Sequence, residues 1–461
     1  MNVLLAPRAA RLLGATLVLA AGLTIRPSAA MAASDQPAGA TNPLVAAFEM
    51  ASARYGVPHD LLVALGYAET HLDGHGGTPS ASNGYGVMHL TANPTTHTLD
   101  EAARLTGLSL TALQGDPAAN ISGAAAVLRA YADEAALTTS QRTDLNQWYG
   151  VIARYSGAAN PSVARLYADT VYDVLASGFV APAPQVAIPG RAVAPQRGVL
   201  AGVPAWGTGR SGIESTDYGP AVWAPASTSN YTVASRESDY NINYVVIHVT
   251  QGSYAGSISW FQNPAAQVSA HYVIRSSDGA ITQTVREKDI AWHAGNWTYN
   301  TQSIGIEHEG FVSDSSWFTD AMYRASAALT RNLCNKYGIP KDRAHIIGHV
   351  EVPGATHTDP GPYWNWTYYM QLVTGGTGVG SGTVHVNGSL NVRSGPGTGF
   401  SIVGSVADGT VVAIYCQTTG TTVTGTYGTS NIWDRIGTNR FVADAYVLTG
   451  YSGFIPGVPR C

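Results

Sequence analysis

Long apolar runs are nearly absent from this chain. The exception is Leu12–Ile25 (LLGATLVLAAGLTI), shorter than the roughly 20 apolar residues that a membrane helix needs. With no second run, a membrane-spanning domain is excluded. Charge is scarce too. Only 12% of residues are Asp, Glu, Lys or Arg, the net charge is −5, and no basic stripe occurs, which excludes a nucleic-acid partner. No His-Glu-x-x-His string is present, so the helical two-histidine zinc motif is excluded. Cysteines number three. Cys416 and Cys461 share the last segment and are expected to bridge, as befits an exported small β domain. Cys334 sits in ALTRNLCNKYG beside Leu333, on the apolar face of an expected helix, and reads as a buried inert thiol.

What is present divides the chain of 461 residues into three domains of ordinary size, and a hydrophobic content of 45% lets each bury a core. Arg8 and Arg11 precede the apolar run, and Ala30-Met31-Ala32 follows it as a cleavage site, so residues 1–32 read as a signal peptide. The expected product is secreted to the cell wall, free of the membrane once cleaved, and monomeric. Residues 43–178 carry helical periods, as in Leu44, Ala47, Phe48 and Ala51, and read as an all-α domain. Residues 179–204 are rich in Ala and Pro without a period and read as an extended linker. Residues 205–373 mix strands (YVVIHVT, SIGIEHEG, and two joined by Ser-Asp-Gly) with a long helix capped by Thr319, hence an α/β domain. A Gly-rich linker, 374–382, leads to a small β-barrel over 383–461.

The chemistry concentrates in the α/β domain. His248 lies near the end of one strand, and Glu307 and Glu309 share one face of another. The stretch GHVEVPGATHTDPGP holds His349, His357 and Asp359 in a run that Pro and Gly keep out of regular structure. Two imidazoles and a carboxylate with a fourth position open are how catalytic zinc is held, and a nearby carboxylate can take a proton from water. Peptide or amide hydrolysis is the natural use.

The strings VVIHVT, SAHYVI, AWHAG, SIGIEHEG and GHVEVPGATHTDPGP occur in the order found in the type 2 zinc N-acetylmuramoyl-L-alanine amidases, a family that includes the peptidoglycan recognition proteins. Residues 225–372 closely resemble that family. The resemblance implies a central mixed sheet, Zn2+ as cofactor and peptidoglycan as partner. It implies His248, His349 and Asp359 as ligands and Glu307 as the group that manages water's proton. His357 stands where close relatives often have lysine, a donor to the oxyanion. His271, His293, His308 and His345 read as structural.

Residues 43–178 resemble soluble lytic transglycosylases with a lysozyme-like fold, through AETHL, GVMHL, NISGAAAVL, ARYSG and YADTVY. That resemblance implies Glu69 as a general acid toward a glycosidic oxygen. Thr70, His89 and Ser156 depart from its serine, glutamine and asparagine, which puts sugar contacts in question more than the acid. Residues 383–461 resemble bacterial SH3-like wall-binding domains through LNVRSGPGTGF and FVADAYVL. The expected function is amide cleavage between N-acetylmuramic acid and L-alanine, with glycan-strand cleavage by Glu69 as an addition. The rival is a non-catalytic peptidoglycan-binding protein.

Overall fold

A computed structural model describes residues 42–181, 186–207, 213–374, 380–437, 439–456, 458 and 460–461. The expected signal peptide, 1–32, lies outside the described residues. Three regions follow in order: helical, mixed α/β and antiparallel β.

The helical region is assembled from α1 (Pro43–Tyr55), α2 (His59–Thr70), α3 (Pro117–Glu134) and α4 (Pro161–Ser177), with shorter helices between them. Their starts are written in the sequence. Asn42, Asp116 and Asn160 each place a side-chain oxygen on a first-turn N–H, and proline opens the helix behind each of them. Leu44, Ala47, Phe48 and Ala51 are the buried face of α1, as their spacing predicts. Helix α2 is the axis of the region: Leu61–Gly66 are buried on every side. Part of the stretch expected as linker, 179–204, is paired. Gly178–Ala181 pairs antiparallel with Val186–Pro189, and alternation buries Val186 and Ile188 against the helices.

The α/β region is built on seven strands: β1 (Ile213–Glu214), β2 (Val222–Trp223), β3 (Tyr244–Val249), β4 (Tyr272–Ile274), β5 (Ile281–Gln283), β6 (Ser303–His308) and β7 (Ile346–Gly348). Their order is β7-β3-β6-β4-β5-β2-β1. The first four in that order are mutually parallel, and β4 returns to β5 as an antiparallel hairpin. On one face lie α6 (Asp320–Tyr337, capped by Thr319) and α7 (Trp366–Thr374), packed on Val245, Ile247, Ile304 and Ile306. On the other lies α5 (Tyr254–Gln262). Both Glu309 oxygens accept backbone N–H groups, from Tyr254 at the first residue of α5 (2.7 Å) and from Ser276 (2.7 Å). The buried carboxylate thus fixes where the helix begins.

Helix α5 joins the first two regions. Ile258 and Phe261 belong to the same continuous core as Leu62, Leu166 and Tyr167 of the helical region and Val273 of the sheet. Truncating Ile258 to alanine would cost about 2–5 kcal/mol and loosen that join. Outside the core, His71 stacks on Trp317 and His75 on Phe311, each at 3.6 Å between ring centroids.

The last region forms one three-stranded and one five-stranded sheet, both antiparallel. Cys416 and Cys461 form a disulfide, a bond that persists in oxidising compartments. Cys334 is the buried free thiol that its position predicts, and burial pushes it up to about 11. Among the described residues, no helix is long and apolar enough to cross a membrane.

Candidate metal centre

Register decides the site. In the parallel pair β3–β6, His248 stands opposite Glu307 and Val246 opposite Gly305, so the imidazole and the carboxyl emerge side by side on one face. Gly305 has to be glycine: a Cβ there would lie 2.5 Å from the His293 ring. Strand β7 runs beside β3 and ends at Gly348, which puts His349 at the sheet's edge next to His248. The following loop folds back. Val350 N donates to Asp359 O (3.0 Å), and this returns Asp359 to the two histidines. A Cβ on Gly348 would meet Pro360 at 2.6 Å, so the close fold-back also needs glycine.

Three donor atoms converge there. His248 Nδ1 and His349 Nδ1 lie 3.1 Å apart, and each is 3.2 Å from an Asp359 oxygen. All three residues are buried, and their ligand atoms fall within 4.8 Å of one another. Among the described residues this is the one such group of three. Burial favours the neutral form of His248, lowering its affinity for a proton. Burial alone would raise Asp359, but hydrogen bonds from His248 and His349 outweigh it and hold the carboxyl well below the usual range. Neutral imidazole and ionised carboxylate are the forms that bind a metal.

The surrounding residues orient these side chains. His248 Nε2 meets His293 Nδ1 at 2.9 Å, and His293 Nε2 meets the Ser303 hydroxyl at 3.2 Å. A second partner on a ligating imidazole fixes its ring and tautomer. Glu307 differs from its neighbours. Its Oε2 is sealed from solvent without a hydrogen-bond partner, and burial together with the Asp359 charge pushes its pKa well above the usual value. His357 is exposed and stacks on His349 at 4.9 Å, outside the group of three. These residues line a cavity of about 490 Å³.

A sequence model of the family described as N-acetylmuramoyl-L-alanine amidase (Amidase_2) matches residues 238–362. "N-acetylmuramoyl-L-alanine amidase A" of Achromobacter lyticus is 45% identical over 181 residues, which cover 36% of this chain and 99% of the relative. The chain belongs to the N-acetylmuramoyl-L-alanine amidase family. The amidase is also 41% identical over 114 residues to "1,6-anhydro-N-acetylmuramyl-L-alanine amidase AmpD" of Citrobacter freundii, 23% of this chain and 58% of that one. Among solved structures, a selenomethionine AmpD derivative aligns at 29% identity and a TM-score of 0.29, covering 35% of this chain and 99% of its own.

Glu69 lies apart from the amidase site. It ends α2 and is only 3% exposed. Tyr167 Oη donates to its Oε1, and the Ser253 hydroxyl, from the residue before α5, donates to Oε2 at 3.0 Å. The cavity beside it holds about 40 Å³ and is closed on one side by Gly256, Ser259 and Trp260 of α5 and by Asn263. His271 and His308 are fully buried and take structural partners: Arg236 bonds His271, and the His248 carbonyl and the Ser326 hydroxyl bond His308. Sequence reasoning did not single out Arg236, which is buried and donates to the carbonyls of Glu287 and Asn300. It also passed over Trp260, Trp292 and residues 78–82, which wall the metal cavity. Trp292 lies in the string AWHAG; no local signal marks Trp260 or residues 78–82, because they meet the site only in the folded chain.

Proposed function

We propose that this amidase is a zinc hydrolase that cleaves the amide between the lactyl group of N-acetylmuramic acid and L-alanine in peptidoglycan. The observation that carries the reading is the convergence of His248 Nδ1, His349 Nδ1 and an Asp359 oxygen beside the unpartnered Glu307 Oε2. The donor set fits zinc: two nitrogens and one oxygen, with room for a further ligand. When bound, the ion supplies Lewis acidity and makes water acidic enough to attack at neutral pH. The chain's own groups do the rest. Glu307, raised in pKa and unsatisfied, accepts water's proton as the oxygen adds to the carbonyl carbon. It returns that proton to the amide nitrogen as the C–N bond breaks, and the stem peptide leaves as an amine. His357, exposed at the mouth, donates to the negative carbonyl oxygen. His293 holds the ring of His248.

The experiment is digestion of purified peptidoglycan by the full chain, with and without added zinc, scored by newly freed L-alanine amino groups. Release that disappears with chelator and returns with zinc is expected. Tight wall binding with no release at any zinc level would favour the non-catalytic reading instead.

The flanking regions fit a wall-directed protein. We read 43–178 as lysozyme-like, 383–461 as an SH3-like wall-binding domain, and the whole as secreted and monomeric after loss of residues 1–32. The assignment of glycan cleavage to Glu69 meets a steric obstacle. A cavity of about 40 Å³ holds roughly a water and no sugar ring, so α5 would have to withdraw first. The geometry favours Glu69 as an acceptor that ties α2 and α4 to the segment entering α5.

A further inference from the structure

The metal cavity has walls from two regions. One carries His248, Glu307, His349, His357 and Asp359, with Trp260 of α5 and Trp292 nearby. The other is residues 78–82, which come from the helical region. That segment is held in place. Ala81 N donates to the Gln251 carbonyl (3.3 Å), just past the strand that bears His248. The Ser80 hydroxyl accepts from Gly84 N (2.9 Å) and meets His89 Nε2 at 2.7 Å.

The chemistry of these walls is selective. Among the described residues, no charged side chain lines the cavity apart from Glu307, Asp359 and the histidines. Its remaining surface joins hydroxyls, from Thr78, Ser82 and Ser257 among others, to apolar side chains, Phe261, Val268, Val312 and the two indoles among them. The bond that an N-acetylmuramoyl-L-alanine amidase cleaves has a neutral amino sugar on its acyl side and a charged peptide on its amine side. Carboxylates of a peptide call for Arg or Lys, and this cavity offers neither. A pyranose offers hydroxyls to hydroxyls and a C–H face to an indole. Ser82, Gly256 and Trp260 also border the small cavity at Glu69, so the groove continues toward the helical region and narrows there.

We propose that residues 78–82 of the helical region, together with Trp260, form the saccharide subsite of the amidase. The inference rests on the amidase reading above. It gives the helical region a part in amide cleavage: it recognises the sugar whose lactyl amide lies at the metal centre.

The test uses the full, zinc-loaded chain and two substrates. One is a GlcNAc–MurNAc peptide; the other is the same peptide acylated by a lactyl group without sugar. The wild type is expected to favour the sugar-linked substrate at least about tenfold in kcat/KM, mainly through KM. Ser82→Trp, which fills the groove at a half-buried position, and Trp260→Ala should each collapse that preference several-fold. A second readout needs no metal: titration of the zinc-free chain with the free GlcNAc–MurNAc disaccharide should change tryptophan fluorescence, and both variants should lose the change. Circular dichroism identifies a variant that fails to fold, and Ser82→Trp, outside the core, then decides alone. Equal hydrolysis of both substrates by the wild type, or equal losses on both in the folded variants, would overturn the subsite. Failure to cleave either substrate would instead overturn the amidase reading.

Discussion

Glu69, buried, and Glu307, half-buried on the cavity wall, are both carboxyls marked by family-like strings, yet the folded chain treats them in opposite ways. Glu69 has both oxygens occupied, by the hydroxyls of Tyr167 and Ser253, and faces a cavity of about 40 Å³. Glu307 has Oε2 without a partner and faces about 490 Å³. An acceptor that is satisfied and enclosed stabilises the fold, because leaving it unpaired would cost about 1–3 kcal/mol. One whose oxygen is desolvated and unsatisfied beside the Asp359 charge is destabilised as a charge and is therefore ready to hold a proton. The small difference in exposure does not separate the two. Partners and free volume do.

Five variants break or sharpen this contrast. The largest effect is expected from Asp359→Ala. Removing that ligand should abolish zinc retention, read by metal analysis, and reduce L-alanine release about a thousandfold or more, ~4 kcal/mol of transition-state stabilisation. Next, Glu307→Gln should keep its zinc but lower kcat by about 10²–10⁴, with KM little changed, since only proton transfer is removed. Unaltered kcat would mean that its open side has no chemical role.

Glu69→Gln should leave L-alanine release within about twofold, and mass spectrometry of the digest should show no anhydro-muropeptides before or after the change. Anhydro products that vanish in the variant would place Glu69 with Glu307 as a chemical group. Glu69→Ala should lower stability by about 1–3 kcal/mol through two stranded hydroxyls.

The smallest effect concerns a third carboxyl. Asp434 in the last region also has an oxygen without a partner, Oδ2, and it lines none of the cavities described above. Burial and the neighbouring Asp444 push it up to about 7, and burial brings Asp444 up to about 6. Raised folded-state values mean that stability present below pH 4 is lost as pH rises through 6 to 7. Asp434→Asn should therefore stabilise this region by about 1–2 kcal/mol at pH 8, read by thermal unfolding, with no gain at pH 4 and kcat unchanged.

Much of the site was legible in advance. Alternation along YVVIHVT and SIGIEHEG gave His248 and Glu307 faces of their own, and the Pro/Gly loop marked His349 and Asp359 as held by irregular backbone. The helix caps at Asn42, Asp116, Asn160 and Thr319 were equally local, since a cap needs only its own first turn. The pairing of 178–181 with 186–189 was not legible, because its Ala/Pro composition hides a short alternation that only a waiting core makes useful.

The candidate ligand set rested on the resemblance of whole strings to the amidase family, whereas residue identity and spacing alone determined the order of helical, α/β and β regions and the expectation that Cys416 pairs with Cys461. These follow from side-chain type and short-range periodicity, which a linear chain carries intact. Tertiary structure alone decided that α5 fills the space before Glu69, that Ser253 completes its hydrogen bonds, and that residues 78–82 line the same cavity as Glu307. Those contacts join segments well over a hundred residues apart. No local pattern encodes them, because what fixes them is one shared hydrophobic core closing around two regions at once.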